Sequence, residues 1–208
     1  MERRYLNNSE MRMRIDVNGT VPKIFGYAAV FNSLSEILTE RVGGQQVTFR
    51  EVLRPGAFTN TLKKNPDIRA LINHDSNLVL GRNKSGTLRL WEDNKGLAFE
   101  IDPGQQTYTQ DLIISLRRGD VNACSFAFVI VREDFRKEGQ KTIHDIDEVD
   151  MAGGDVSVVT YPAFSDTECN ARFLRSLEEW ETKQAENEKY QNREFQRWLN
   201  IQEILSES

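Results

Sequence analysis

A β-rich α+β fold follows from three features of the 208-residue chain. Between residue 21 and about residue 163, short apolar or alternating runs of strand length are interrupted by Gly, Asn and Asp. Within that region two stretches carry helical spacing instead. After residue 175 the composition turns to Glu, Gln, Lys and Asn with no Gly or Pro, as in a long polar helix.

Taken in order, strands are predicted over 24–31, 68–72, 78–81, 87–91, 97–101, 124–131 and 156–160. Asp93-Asn94-Lys95-Gly96 separates two of them and reads as a hairpin turn. A short helix is expected over 56–64, where Phe58 and Leu62 lie four apart and Asn65-Pro66 stops the run. The spacing of Tyr108, Leu112, Ile113 and Leu116 predicts a second helix over 107–118. Thr107-x-x-Gln110 has the form of a capping box at its start, and Arg117, Arg118 and Gly119 suit its end.

The organisation expected is a flexible polar segment over 1–20, a core over 21–175 and a charged helical tail over 176–208. Ser176-Leu177-Glu178-Glu179 opens the tail with a capping-box pattern. The tail holds eight acidic and four basic residues, so it carries about −4 of the formal net charge of −5. Trp198, Ile201 and Leu205, with Leu199 and Ile204 beside them, would form an apolar stripe near its end. Such a stripe serves either packing on the core or partner binding and assembly.

The acidic balance argues against nucleic acid as the main partner, because neutralising phosphates calls for a basic surface. Two cysteines and no secretory pattern point to the cytosol, and no apolar run approaches the roughly 20 residues of a membrane helix.

The chemistry rests on few residues. His74 and His144 are the only histidines, which leaves a serine hydrolase few ways to activate its hydroxyl. In the strand 124–131, alternation puts Cys124, Phe126, Phe128 and Ile130 on one face and Ser125, with Ala123 and Ala127, on the other. The aromatic face is expected to be buried, which turns the Cys124 thiol inward and leaves Ser125 on an open face with an accessible hydroxyl. His74 follows the run 68–72, at the end of a strand, and can reach across a sheet as a general base. By themselves, both residues fit structural roles as well: a serine among small neighbours and a turn histidine. Two candidates could orient the imidazole. Asp155 shares a face with Ser157 and Val159, whereas His144 lies in a charged run, His-Asp-Ile-Asp-Glu-Val-Asp, that reads as a solvated edge. A zinc site is rejected by spacing, since Cys124 and Cys169, like His74 and His144, are far apart. There is no phosphate-cradling Gly-x-x-x-x-Gly-Lys segment, and no cofactor is implied.

Five segments in one order carry a resemblance: Gly26-Tyr-Ala-Ala-Val-Phe31, Pro55-Gly-Ala-Phe58, His74-Asp75 followed by Leu80-Gly81, Ser125-Phe-Ala-Phe128, and Asp155-Val-Ser-Val-Val-Thr-Tyr-Pro-Ala163. In this combination the chain resembles the prohead maturation proteases of tailed bacteriophages, over residues 26–167. The resemblance implies a serine endopeptidase related to the herpesvirus assemblins, with a closed or partly closed β-barrel flanked by helices. It implies Ser125 as nucleophile and His74 as base. For the third residue, assemblins favour a second histidine, here His144, but the position of the final motif favours Asp155, where the family commonly has Glu. Implied partners are the major capsid protein and its scaffolding segment, the portal, the chain itself as substrate and a second copy in a homo-oligomer. The place of action implied is the interior of the assembling prohead in the host cytoplasm, with the tail as a scaffold-like element. Two other readings compete: a non-enzymatic scaffolding or assembly factor, and a hydrolase of small esters.

Overall fold

The computed structural model describes residues 2–5, 14–16, 22–35, 37–42, 45–139, 141–161, 182–183, 185–187 and 189–193. The chain divides into two compact units, Met1–Thr167 and Glu168–Ser208. In the second unit the described residues are helical and exposed. The tail's capping box and its stripe at Trp198, Ile201 and Leu205 lie outside the described residues, as does Cys169.

The first unit is built mainly from strands: β1 (Glu2–Tyr5), β2 (Arg14–Asp16), β3 (Lys23–Val30), β4 (Leu38–Val42), β5 (Gln45–Leu53), β6 (Arg69–Ile72), β7 (Asp75–Arg82), β8 (Leu88–Glu92), β9 (Gly96–Ile101), β10 (Ala123–Glu138), β11 (Lys141–Asp150) and β12 (Asp155–Val159). Among the described residues it also holds two α-helices, α1 (Thr59–Lys64) and α2 (Thr107–Arg118), and a short 3-10 helix at Asn83–Ser85. Eight strands form one sheet in the order β4-β5-β11-β10-β12-β6-β7, with β1 also on β10; four form another in the order β2-β3-β9-β8. Among the described residues no ladder joins the outer strands β4 and β7, so the expected barrel gives way to two open sheets. Residues 2–5 and 14–16 of the segment 1–20 pair as strands, and the rest of that segment is outside the described residues.

The two sheets share one core. Ile24, Val30, Leu88, Leu97, Phe99 and Ile101 of the smaller sheet pack in one cluster with Cys124, Phe126, Phe128, Val156 and Val158 of the larger. Phe126 and Phe128 stack at 4.7 Å, and Phe58 meets Phe126 edge-on at 5.6 Å. Full burial of a phenylalanine is worth about 1.5–3 kcal/mol. The Pro-Gly-Ala-Phe segment is thereby pinned under the strand that carries Ser125. Glu92 fixes the same segment by accepting the N–H groups of Gly56 and Phe58 and the Thr59 hydroxyl.

Helix α2 spans the expected residues, buries Leu112 and Ile113, and ends at left-handed Gly119, whose N–H returns to the carbonyls of Leu116 and Ser115. Its start differs from expectation: Gln106 is the N-cap and the Thr107 capping box does not form. Helix α1 begins at Thr59 because residues 55–58 make a turn first. The hairpin at Asp93 is present, with the Asp93 carboxylate accepting the N–H groups of Lys95 and Gly96.

Candidate active site

Three elements converge on one buried face. β10 and β12 run antiparallel with Ser125 opposite Ser157 and Phe126 opposite Val156. Alternation then sorts the side chains: Cys124, Phe126, Val156 and Val158 enter the shared core, and Ser125, Asp155 and Ser157 take the other face. β6 lies parallel to β12, with Asp155 opposite Arg69 and Val158 opposite Ile72. Between β6 and β7 only Asn73 and His74 intervene, both left-handed at φ 50° and 57°, as a two-residue hairpin turn with right-handed strand twist requires. Asn tolerates this conformation well, whereas His is uncommon in it, a local strain of the kind found where a side chain must be aimed.

The turn is tied down on β12. Asn73 N–H donates to the Val158 carbonyl at 2.9 Å, and its side chain exchanges hydrogen bonds with Thr160, taking the Thr160 N–H at 2.9 Å and reaching its hydroxyl at 3.2 Å. The His74 N–H donates to Ser157 Oγ at 3.2 Å. The imidazole then folds back over the sheet face. Its Nε2 lies 2.7 Å from Ser125 Oγ, and its Nδ1 lies 2.7 Å from Asp155 Oδ1. An ionised carboxylate only accepts, so Nδ1 carries the proton and Nε2 offers its lone pair to the serine hydroxyl. The structure therefore brings together all three residues singled out from the sequence. The shorter Asp155 reaches the imidazole without the extra methylene of a glutamate.

The site is internal rather than open. Ser125 is 0% exposed and the His74 side chain 3%. The open face expected around Ser125 is covered, with Ala123 and Ala127 buried as well. Cys124 points into the core as expected, and burial pushes its thiol up to about 12, far from a nucleophilic thiolate at neutral pH.

His144 occupies a different cluster, and its expected place on a solvated edge is not what the structure holds. It is 0% exposed, stacked on Phe135 at 4.6 Å, with Nδ1 at 3.0 Å from Glu51 and Nε2 at 2.7 Å from Glu133. Both ring nitrogens are thus engaged by carboxylates, and neither is bonded to His74 or Ser125.

Two residues of the site were not singled out from the sequence. Ser157 joins the His74 backbone to Asp155, donating its hydroxyl to Asp155 Oδ1 at 2.5 Å. Its place on the face of Asp155 was readable from alternation, but its pairing with Ser125 needed the strand register. Asn73 had a signal in its turn-forming chemistry next to the histidine.

A hydroxyl, an imidazole and a carboxylate in this order of contact are the arrangement of a serine hydrolase. The chain belongs to the caudovirus prohead serine protease family, whose family model matches residues 9–184. It is thus a member of a family of serine peptidases that act in phage proheads. Comparison with curated proteins and with solved structures gives no match.

Proposed function

We propose that the protein is a capsid-maturation endopeptidase in which Ser125 is the nucleophile, His74 the general base and Asp155 the group that orients the imidazole. The reading is carried by one observation, the continuous run of 2.7 Å contacts from Ser125 Oγ through both nitrogens of His74 to Asp155. In the first step Ser125 Oγ attacks the scissile carbonyl carbon while His74 Nε2 takes its proton. Asp155 stabilises the imidazolium that forms. As the C–N bond breaks, Nε2 returns the proton to the leaving amine, and the acyl-serine ester remains. Water, deprotonated by the same nitrogen, then attacks the ester, and Nε2 returns that proton to Ser125 Oγ as the ester C–O bond breaks, leaving a free carboxylic acid product.

The substrates in this reading are the major capsid protein, its scaffolding segment and the chain itself, cut inside the assembling prohead. The charged segment 176–208 fits a scaffold-like element that associates with the capsid or portal during assembly; its described residues are helical and exposed. Co-expression with the capsid protein tests the reading, comparing wild type with Ser125→Ala by intact mass. Trimming of the capsid protein and of this chain that vanishes in the variant supports it. Equal masses in both, with particles still assembling, would favour a non-enzymatic assembly factor.

A further inference from the structure

The strand that carries Ser125 has its second edge taken by the chain itself. β1 pairs antiparallel with β10, with Tyr5 opposite Ser125, Arg4 opposite Phe126, Arg3 opposite Ala127 and Glu2 opposite Phe128. A strand offers two edges, and β12 holds the other one at Ser125 and Phe126. Among the described residues β1 has no other strand partner, so only four paired positions hold it. With this strand in place the Ser125 side chain has no exposed surface.

An endopeptidase must hold its substrate extended beside the nucleophile, because a peptide bond within a helix or a folded loop is shielded from attack. An unfilled strand edge supplies this without regard to sequence: its backbone N–H and C=O groups bind any extended chain, and side-chain pockets add selectivity. Resting on the reading of Ser125 as nucleophile, we infer that the β10 edge over residues 125–128 is the substrate-docking strand and that β1 is its resting occupant. The ligand is an extended polypeptide segment, added antiparallel to β10 in the place of β1. The strand keeps the nucleophile covered until a substrate segment replaces it. The exchange substitutes one set of ladder hydrogen bonds for another, so a locally concentrated substrate can drive it.

Successive N–H groups of a strand point to opposite edges, so of Arg3 and Arg4 one donates towards β10. Arg3→Pro combined with Arg4→Pro therefore removes a ladder donor. A chain lacking residues 2–5 is the second variant, in case the prolines disturb folding. Two measurements are made on the full wild-type chain and each variant: amide hydrogen exchange over residues 125–128, and the rate at which a fluorophosphonate labels Ser125, located by peptide mass. Exchange about tenfold faster and labelling at least about threefold faster in the variants are expected, with both reversed by a synthetic peptide of residues 1–8. Equal exchange and equal labelling in all three chains, with the peptide inert, overturn the docking edge while leaving the nucleophile in place. Absence of label on Ser125 in every chain instead removes the nucleophile reading, and exchange with peptide protection then decides whether the edge still accepts a strand.

Discussion

Ser157 and Asp155 meet at 2.5 Å, and the hydroxyl donates to the same carboxylate oxygen that faces His74 Nδ1. Ser157 also accepts the His74 N–H, so one hydroxyl fixes both the carboxylate and the backbone that bears the imidazole. Ser157→Ala frees both, and a small misplacement of a catalytic group is costly: kcat/KM falls about 10- to 100-fold. Removing the acceptor of the His74 N–H in this part-buried place lowers stability by about 1–3 kcal/mol as well. Ser157→Thr keeps the hydroxyl and restores part of the rate. Fluorophosphonate labelling of Ser125 at several pH values checks this, since a purely structural serine would change stability without changing the rate of acylation.

Asp155→Asn preserves the shape of the side chain but offers an amide to Nδ1, which favours the wrong tautomer at Nε2. A loss of about 10⁴ in acylation rate is expected, by analogy with the same change in a Ser-His-Asp triad. Urea unfolding should show the variant still folded. A loss below about tenfold would remove Asp155 from the role assigned to it. Asp155→Glu adds a methylene to a buried side chain already at hydrogen-bond distance from both His74 and Ser157, so it too lowers the rate.

The site was more legible than the sheet around it. Strand alternation is local, so the face shared by Asp155 and Ser157 and the inward face of Phe126 and Phe128 were readable, whereas the roles expected of Ser125 and Asp155 came from the family resemblance. What covers the opposite face depends on strands distant in sequence, so the burial of Ser125 could not be read from its small neighbours. β11 was missed for the same reason. Its acids suggest solvent, yet Asp145 is paired with Arg54 and Arg136, and His144 with Glu51, 93 residues away. Charges enter an interior when they are paired, and the pairs are a property of topology. The closed or partly closed barrel implied by the resemblance is not formed by the described strands either, because closure requires a ladder between edge strands and no local pattern specifies one.

Gly154 sits where β12 begins, against β10. A Cβ there would lie 2.1 Å from the Ala127 carbonyl oxygen and 3.1 Å from that of Met151. Both obstacles are backbone, so neither can swing aside as a side chain would. Gly154→Ala must push β12 from β10 two residues from Ser125, at a cost of about 1–3 kcal/mol. Denaturant titration reads the stability, and acylation of Ser125 is expected to slow in parallel because Asp155 is the next residue.

His144 gives the fold a pH dependence separate from catalysis. Burial opposes its charge, but hydrogen bonds to Glu133 and Glu51 and the attraction of their carboxylates outweigh burial and lift the imidazole from its ordinary 6.5 to about 9. The folded state therefore holds this proton more tightly than the unfolded chain. Its stabilisation is present in full below about pH 6.5, declines above that, and is lost as pH rises through about 9. Thermal unfolding measured from pH 6 to 10 should show a falling midpoint in wild type. The decline should flatten in His144→Gln, which titrates no proton but removes the charged imidazole from between Glu51 and Glu133 and so is less stable at pH 6. Acylation of Ser125 below the unfolding temperature should survive that substitution. Loss of acylation in a folded His144→Gln chain would instead make His144 part of the catalytic machinery, in place of a charge that holds β5, β10 and β11 together.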